Sequence, residues 1–450
     1  MVVRVLEKKQ IIIPLLLGVV FSLLYNKMPM VMFVGLIGGV AITLLSIYDI
    51  KIGIIAAIVS LPFLPDMLSL LFMIFLVLIF LFNHIFREGY KIRHSFVDVP
   101  IVVFILAIVV ATVTSLDPMG SFRDLAIHLS ALGLLFITVN SIDNKNELNV
   151  ILSAFVFTAT LVALYGVYQY FVGVELDPAW VDEANNPDIT TRVFSVFGNP
   201  NILAEYLIMA IPVSVALFWG SRRLIKKLIF LLTSMILAGT LVLTLSRGGW
   251  LGFAFGIFVF ILLVEKRLFL LCIPVGVLSL FVLPQSIINR ILTIGSLTDS
   301  SNAYRIKIWQ ITTDIIRDHW IAGVGFGYIP FKKTYETYIR TMPIFHAHNT
   351  YLEIAAELGI VGILLFIILI FVIYKYAIIN SIKSKDKYIK IITAGLLAGV
   401  ASLLFHGLVE HVLYLPRIII TFWTMIGFIL VTMKLAKLEE KKDKPTIDLS

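Results

Sequence analysis

The chain has one cysteine and little charge. Cys272, alone in 450 residues, excludes a disulfide framework and a metal centre built from cysteines. Only 14% of the residues are charged, too few to clothe a soluble globular protein of this length. No stretch between the apolar runs is long enough to fold as a soluble domain. No internal repeat of the kind transporters carry is found either; the two long polar loops occur once each, and late. Arg4, Lys8 and Lys9 precede Ile11 as in a signal peptide. No small-residue cleavage site followed by a polar chain comes after them, so an uncleaved first span is expected.

What the chain has is hydrophobicity. Apolar residues make up 60% of it and the mean hydropathy is +1.00. The apolar runs, broken by short charged turns, have the ~20 residues a helix needs to cross a bilayer. An all-α polytopic membrane protein is expected, with about 12–14 transmembrane helices. The runs fall near 11–25, 29–48, 52–65, 67–83, 99–116, 122–139, 148–172, 200–219, 225–244, 249–264, 268–284, 351–374, 388–409 and 412–433. The expected organisation is an N-terminal transmembrane bundle with a first outer loop over 1–199 and a second transmembrane region over 200–433, including a long outer loop at 285–349. A cytoplasmic tail over 434–450, solvated and frayed, completes it.

The net charge of +8 does not indicate nucleic acid, because Lys and Arg gather in turns between spans rather than on one polar face. With the amino terminus inside, Arg87, Lys91 and Arg93, the run Arg222 to Lys227, Lys266 and Arg267, Lys383 to Lys387 and the Lys-rich tail all fall on the cytoplasmic side. About two-thirds of the 36 Lys and Arg then lie inside. The loops at 173–199 and 285–349 face outward. The first holds Trp180, Arg192 and the turn Gly198-Asn199-Pro200-Asn201, where Asn199 suits a helix cap and Pro200 the first helical position. In the second, Tyr304, Ile308, Ile311 and Ile315 share one helical face. This predicts a helix capped by Ser300, Ser301 or Asn302 and lying in the outer membrane interface, with Trp309 at headgroup depth.

Several residues have types suited to chemistry. His348, followed by Asn349 where the outer loop meets a span, has a side chain able to exchange a proton near neutrality; the pair also reads as a simple helix cap. Arg247, beside Gly248 and Gly249 at the outer end of a span, suits bidentate grip on a diphosphate and equally suits snorkelling to lipid phosphates. Arg305 precedes Trp309 by one turn and has the same two readings. Glu205, a turn into its span, is costly enough in a membrane to suggest a role with acceptor hydroxyls or an arginine. Glu353 and Glu357, one turn apart below His348, are placed to orient it. Gly359 and Gly362 are expected to allow close helix packing. Gly323-x-Gly325-x-Gly327 reads as a tight turn, since neither a preceding strand nor a following lysine makes it a phosphate loop. His346 and His348 invite a metal reading that lacks a carboxylate at fixed spacing. His406-x-x-x-Glu410-His411 matches no zinc protease spacing; near the outer end of a span it reads either as packing within the bundle or as lining the site.

The order of these residues carries a resemblance. His348-Asn349, nine residues, then Gly359-x-x-Gly362 resembles the signature of the O-antigen ligase and polymerase family, enzymes that move glycans off a polyprenyl diphosphate. Arg247-x-x-x-Leu251 and Arg305-x-x-x-Trp309 resemble that family's arginine motifs and stand in its order. The likeness is densest between residues 192 and 362. It implies a C-type glycosyltransferase architecture in a bacterial cytoplasmic membrane, with the active site on the extracytoplasmic face. It further implies a polyprenyl (undecaprenyl) diphosphate-linked glycan donor, a glycan, lipid or protein acceptor, contact with membrane lipids, and no cofactor, metal or nucleic acid. On this likeness His348 acts as base in an inverting, metal-independent transfer and Arg247 and Arg305 hold the diphosphate. Asn349, Glu205, Glu353, Trp309, Gly359 and Gly362 support them. The motifs are shared by ligases, polymerases and protein O-glycosylating enzymes. A lipid-linked oligosaccharide flippase is the rival reading, opposed by the single large outer loop and the one-sided clustering of Arg247, Arg305 and His348.

Overall fold

The computed structural model describes residues 25–86, 92–175, 191–270, 284–295 and 300–443, with isolated positions between 18 and 24 and between 274 and 281. The expected first span, most of the span at 268–284, Cys272, Trp180, Arg87 and Lys91 lie outside the described residues. Among those described, the protein is all helical. The long elements are α1 (Met30–Tyr48), α2 (Ile50–Ser60), α3 (Asp66–Phe86), α4 (Asp98–Val113), α5 (Pro118–Ser141), α6 (Lys145–Val172), α7 (Pro200–Gly220), α8 (Leu224–Leu243) and α9 (Arg247–Val264). The outer loop contributes α10 (Gln285–Leu292), α11 (Ser300–Asp318) and α12 (Tyr328–Tyr338). Then come α13 (Thr350–Ala377), α14 (Lys387–His406) and α15 (Pro416–Asp443). Nine of the described helices are long and apolar enough to cross a bilayer, and α1, α2 and α4 are shorter apolar helices. The protein is an all-α polytopic membrane protein.

The bundle closes around α14 and α15. α14 packs between α7 and α9, while α15 lies along α5 and has 94% of its apolar window buried, which makes it an interior helix rather than a lipid-facing one. Small residues permit the closeness. A Cβ on Gly256 of α9 would sit 1.9 Å from Ser402 Oγ, and one on Gly399 of α14 would sit 2.7 Å from the Met209 carbonyl of α7. The contacts of α5 with α15 and of α6 with α8 carry one core across residue 199, so the expected boundary there does not separate two cores. The tail also differs from expectation: α15 continues to Asp443, held where Lys434 donates to the Val139 carbonyl at 2.5 Å and Lys145 pairs with Glu439.

A second, smaller core caps one end of the bundle. Ile308 and Ile315 of α11 are fully buried against Val324, Phe331, Tyr335, Ala347 and Ala356. The apolar face expected to lie on the membrane is covered by protein instead, because the loop after α11 folds back over it. Since α11 starts at Ser300, Ser301 and Asn302 occupy its first turn rather than a cap. The starts of α7, α9, α13 and α15, and the end of α14, all meet this cap. The basic turns at 221–223, 265–267 and 383–387 lie at the other ends of the same helices.

Candidate functional site

Under the cap opens a cavity of about 760 Å³, lined by residues of α7, α9, α10, α11 and α14 and of the segments before α7, α13 and α15. Asn199 caps α7 as expected, accepting from the Asn201 amide at 2.8 Å with Pro200 in the first turn. Ser246 caps α9 through the Gly249 amide at 3.3 Å. Asn349 caps α13, accepting from the amides of Tyr351 at 2.9 Å and Leu352 at 3.0 Å, while its Nδ2 donates to the Leu408 carbonyl at 2.8 Å. Asn349 is thus a cap and a brace. Asn199, Asn201, Ser246 and Gly248 at the starts of α7 and α9 line the cavity, as does His348 beside the start of α13. The positive dipole ends of these helices meet there and favour an anion.

Four guanidinium groups line the same space: Arg192, Arg247, Arg290 and Arg305. Arg247, 8% exposed, donates to the Thr293 carbonyl at 3.0 Å and to Thr293 Oγ1 at 3.2 Å, contacts that fix the side chain within the protein rather than at lipid phosphates. Arg192 donates from Nε to the Thr244 carbonyl at 2.9 Å and from Nη2 to Asn201 Oδ1 at 3.2 Å. Burial, then the charges of Arg290, Arg247 and Arg305, push its pKa down to about 9. Four guanidinium groups on one cavity favour an anion there.

His348 stands opposite. Its backbone is left-handed, with φ 49°, and Trp309 Nε1 donates to its carbonyl at 3.3 Å. Trp309 therefore steadies the histidine, where headgroup depth was expected. His348 Nδ1 lies 2.6 Å from Glu410 Oε1, and the other Glu410 oxygen is 3.3 Å from Arg305 Nη2 and 3.5 Å from Asn201 Nδ2. Glu410 is brought there by Thr350, whose amide and hydroxyl donate to the Glu410 carbonyl at 3.2 and 3.0 Å and whose hydroxyl accepts from the Val412 amide at 3.0 Å. Burial alone would raise the Glu410 pKa, but His348, its hydrogen bond and Arg305 outweigh burial and hold the carboxylate well below its ordinary value. A carboxylate so held favours the His348 tautomer with its proton on Nδ1, which leaves Nε2 as the ring's acceptor.

The other expected residues are placed differently. Neither Glu353 nor Glu357 contacts the His348 ring; Glu353 accepts from the Ala347 amide at 2.5 Å, and the carboxylate on His348 is Glu410, which the sequence offered as lining the site or as packing in the bundle without pairing it with His348. Glu205 is buried and lines the cavity. His406 also lines it while packing against α9 beside Gly248. Gly359 is not a helix-packing glycine. It sits at φ 67° in a break of α13 where a Cβ would meet the Ile321 carbonyl at 2.2 Å, and a Cβ on Gly362 would collide with Leu358 of its own helix at 2.0 Å. The turn at Gly323, Gly325 and Gly327 has positive φ at all three glycines and crosses that break. His346 lies 3.7 Å from Glu410, and burial followed by the neighbouring His348 pushes its pKa down to about 3. The carboxylate that local spacing denied to the His346–His348 pair thus arrives from a distant part of the chain, and the ligand atoms of all three lie within 4.8 Å of one another. Glu353, Glu357 and His411 form a second group of that kind.

One end of this helical membrane protein thus holds a polar chamber walled by arginines and containing a histidine hydrogen-bonded to a buried carboxylate. Residues 228–367, a segment that holds Arg247, Arg305 and His348, match the family described as O-antigen ligase. The chain is 33% identical over 156 residues to a Rickettsia felis protein named "Putative polysaccharide ligase", covering 31% of this chain and 37% of that protein. It is 30% identical over 149 residues to a Rickettsia prowazekii protein of the same description, covering 29% of this chain and 35% of that one. The matched segments thus span about a third of the curated relatives' length.

Proposed function

We propose that the protein is a glycosyltransferase of cell-surface polysaccharide synthesis, moving a glycan from a polyprenyl diphosphate carrier to an acceptor hydroxyl at the outer face of the cytoplasmic membrane. The convergence of His348, Glu410 and Arg305 with Arg247 on one cavity carries this reading; the family match to residues 228–367 supports it. The donor's diphosphate lies against Arg247 and Arg305, with Arg192, Arg290 and the starts of α7 and α9 adding positive potential. His348 Nε2 accepts the acceptor's proton as its oxygen bonds to the anomeric carbon. The bond from that carbon to the phosphate oxygen breaks, and the electron pair leaves on the diphosphate, whose growing charge the arginines offset. One displacement inverts the anomeric centre. Glu205, on the chamber wall, is placed for acceptor hydroxyls.

The test is a reconstitution with a polyprenyl-diphosphate glycan and candidate acceptors, scored for glycosidic product. His348→Ala should insert and bind donor normally yet transfer roughly 100-fold more slowly, the scale of a lost general base. Equal product from wild type and His348→Ala would remove the base mechanism. His346→Ala should do less, because the 2.6 Å contact with Glu410 belongs to His348 and the nearest His346 approach is 3.7 Å.

A further inference from the structure

Beside the chamber, and sharing His411 with its wall, lies a second group of ionisable side chains to which the transfer reading gives no role. Glu353 and Glu357 come from one face of α13 and His411 from the segment between α14 and α15. Their ligand atoms all lie within 4.8 Å of one another. Asp124 and His128 of α5, with Glu357 and His411, line a cavity of about 30 Å³, room for one water-sized occupant. None of the five residues is more than 7% exposed.

Three carboxylates packed together in a protein interior are opposed by both repulsion and desolvation. Backbone amides offset part of this: Glu353 accepts from Ala347 at 2.5 Å, Glu357 from Gly327 and Asp124 from Tyr328. Arg123 reaches Asp124 at 3.5 Å from a position where its own side chain is 45% exposed. Among the described residues no Lys or Arg forms an ion pair with Glu353 or Glu357. Among the described residues three side-chain atoms here remain buried and without a hydrogen-bond partner: Glu353 Oε1, Asp124 Oδ2 and His411 Nδ1. Two carboxylate oxygens and an imidazole nitrogen, buried and unsatisfied at or next to a cavity of atomic size that Asp124, Glu357 and His411 line, are a cation's donor set.

We propose that Glu353, Glu357 and His411, joined by Asp124, bind one divalent transition-metal ion, with Zn2+ as the fitting probe. Mixed imidazole and carboxylate donors suit this class better than Mg2+ or Ca2+, which take oxygen alone. Bonds of ~2.0–2.2 Å place neighbouring donors ~3.4 Å apart, so the side chains close inward from their present spacing. The ion touches no substrate. It ties α13 to α5 and to the segments bearing His348 and Glu410, since Ala347 precedes His348 and His411 follows Glu410, and so it positions the site beside it.

The experiment uses the full chain in detergent, equilibrated with micromolar Zn2+, desalted, and assayed for metal per chain and for thermal unfolding. One Zn2+ per chain, removed by chelator with a fall in Tm, is expected in wild type and in His348→Ala. The near-isosteric Glu357→Gln combined with His411→Asn should fold, by its elution profile, and hold none. Metal absent from wild type would overturn the site and leave the carboxyl groups carrying protons. Metal kept by the double variant but lost from His348→Ala would overturn it too, placing the ion on His346, His348 and Glu410. Neither readout depends on glycan transfer, so this proposal and the transfer reading fail separately.

Discussion

An imidazole with Nδ1 engaged by a buried carboxylate presents only Nε2 to a substrate, and this makes Glu410 the positioning residue for His348. The two act as a unit, so their losses should not add. Glu410→Ala is expected to cost transfer nearly as much as His348→Ala, and the double variant no more than His348→Ala alone. Glu410→Gln, whose amide oxygen still accepts from Nδ1, should fall between wild type and Glu410→Ala. Steady-state rates of the four proteins check this; independent, multiplying losses would reduce Glu410 to a structural role. The residue scale also shows what a sequence can convey. Arg247, Arg305 and His348 stand out because polar side chains at the ends of apolar runs are conspicuous and their order is a known one. Glu410 was not legible as their partner, since 62 residues separate it from His348 and only the Thr350 contacts bring the two together. Arg290 carried no signal beyond its place in the outer loop.

At the scale of the element, α13 does more than span. The break at Gly359 frees carbonyls that the loop after α11 then takes up: the Val324 amide donates to Ala356 at 2.8 Å and the Gly325 amide to Glu357 at 3.1 Å, while the Ile360 amide turns to Trp320 at 2.8 Å. The helix end and the cap are sewn together at one glycine. Gly359→Ala places an L side chain at φ 67°, ψ −170°, a region essentially restricted to glycine, at ~1–3 kcal/mol, and drives a Cβ into the Ile321 carbonyl 2.2 Å away. Tm should fall by several degrees, with transfer reduced through the displaced His348 segment. Gly239→Ala, in α8 with nothing within 4 Å of the new Cβ, is the matched control and should leave both unchanged. Equal Tm for the two variants would mean that the break tolerates a side chain. The sequence pointed to both Gly359 and Gly362 but gave the wrong reason: a glycine permits close packing and a positive φ alike, and only the backbone path of residues 320–325 decides between them. The buried face of α11 was misread for a related reason. An amphipathic helix has the same pattern whether membrane or protein covers it.

At the scale of the molecule, twelve of the fourteen apolar runs coincide with described helices, because the bilayer's thickness fixes run length and leaves little room for another reading. Orientation rests on charge. The end away from the chamber carries the basic turns and a lattice of ion pairs, Lys51 with Glu147, Arg93 and Lys434 with Asp143, and Lys145 with Asp386, whereas the chamber's arginines face inward and do not clothe a surface. The positive-inside rule counts basic residues in short flanking turns, and those turns lie opposite the chamber. The chamber should therefore open outside the cell, where a flipped polyprenyl-linked glycan would meet it. A topology reporter fused after residue 310, within α11, should read as extracytoplasmic, and one fused after residue 384, in the turn before α14, as cytoplasmic. Reversed readings would put the arginines and His348 on the cytoplasmic side, beside unflipped donor, and would make the outer-face transfer untenable. Identical readings would mean that α13 does not cross the bilayer, and the bundle would then need a different insertion altogether.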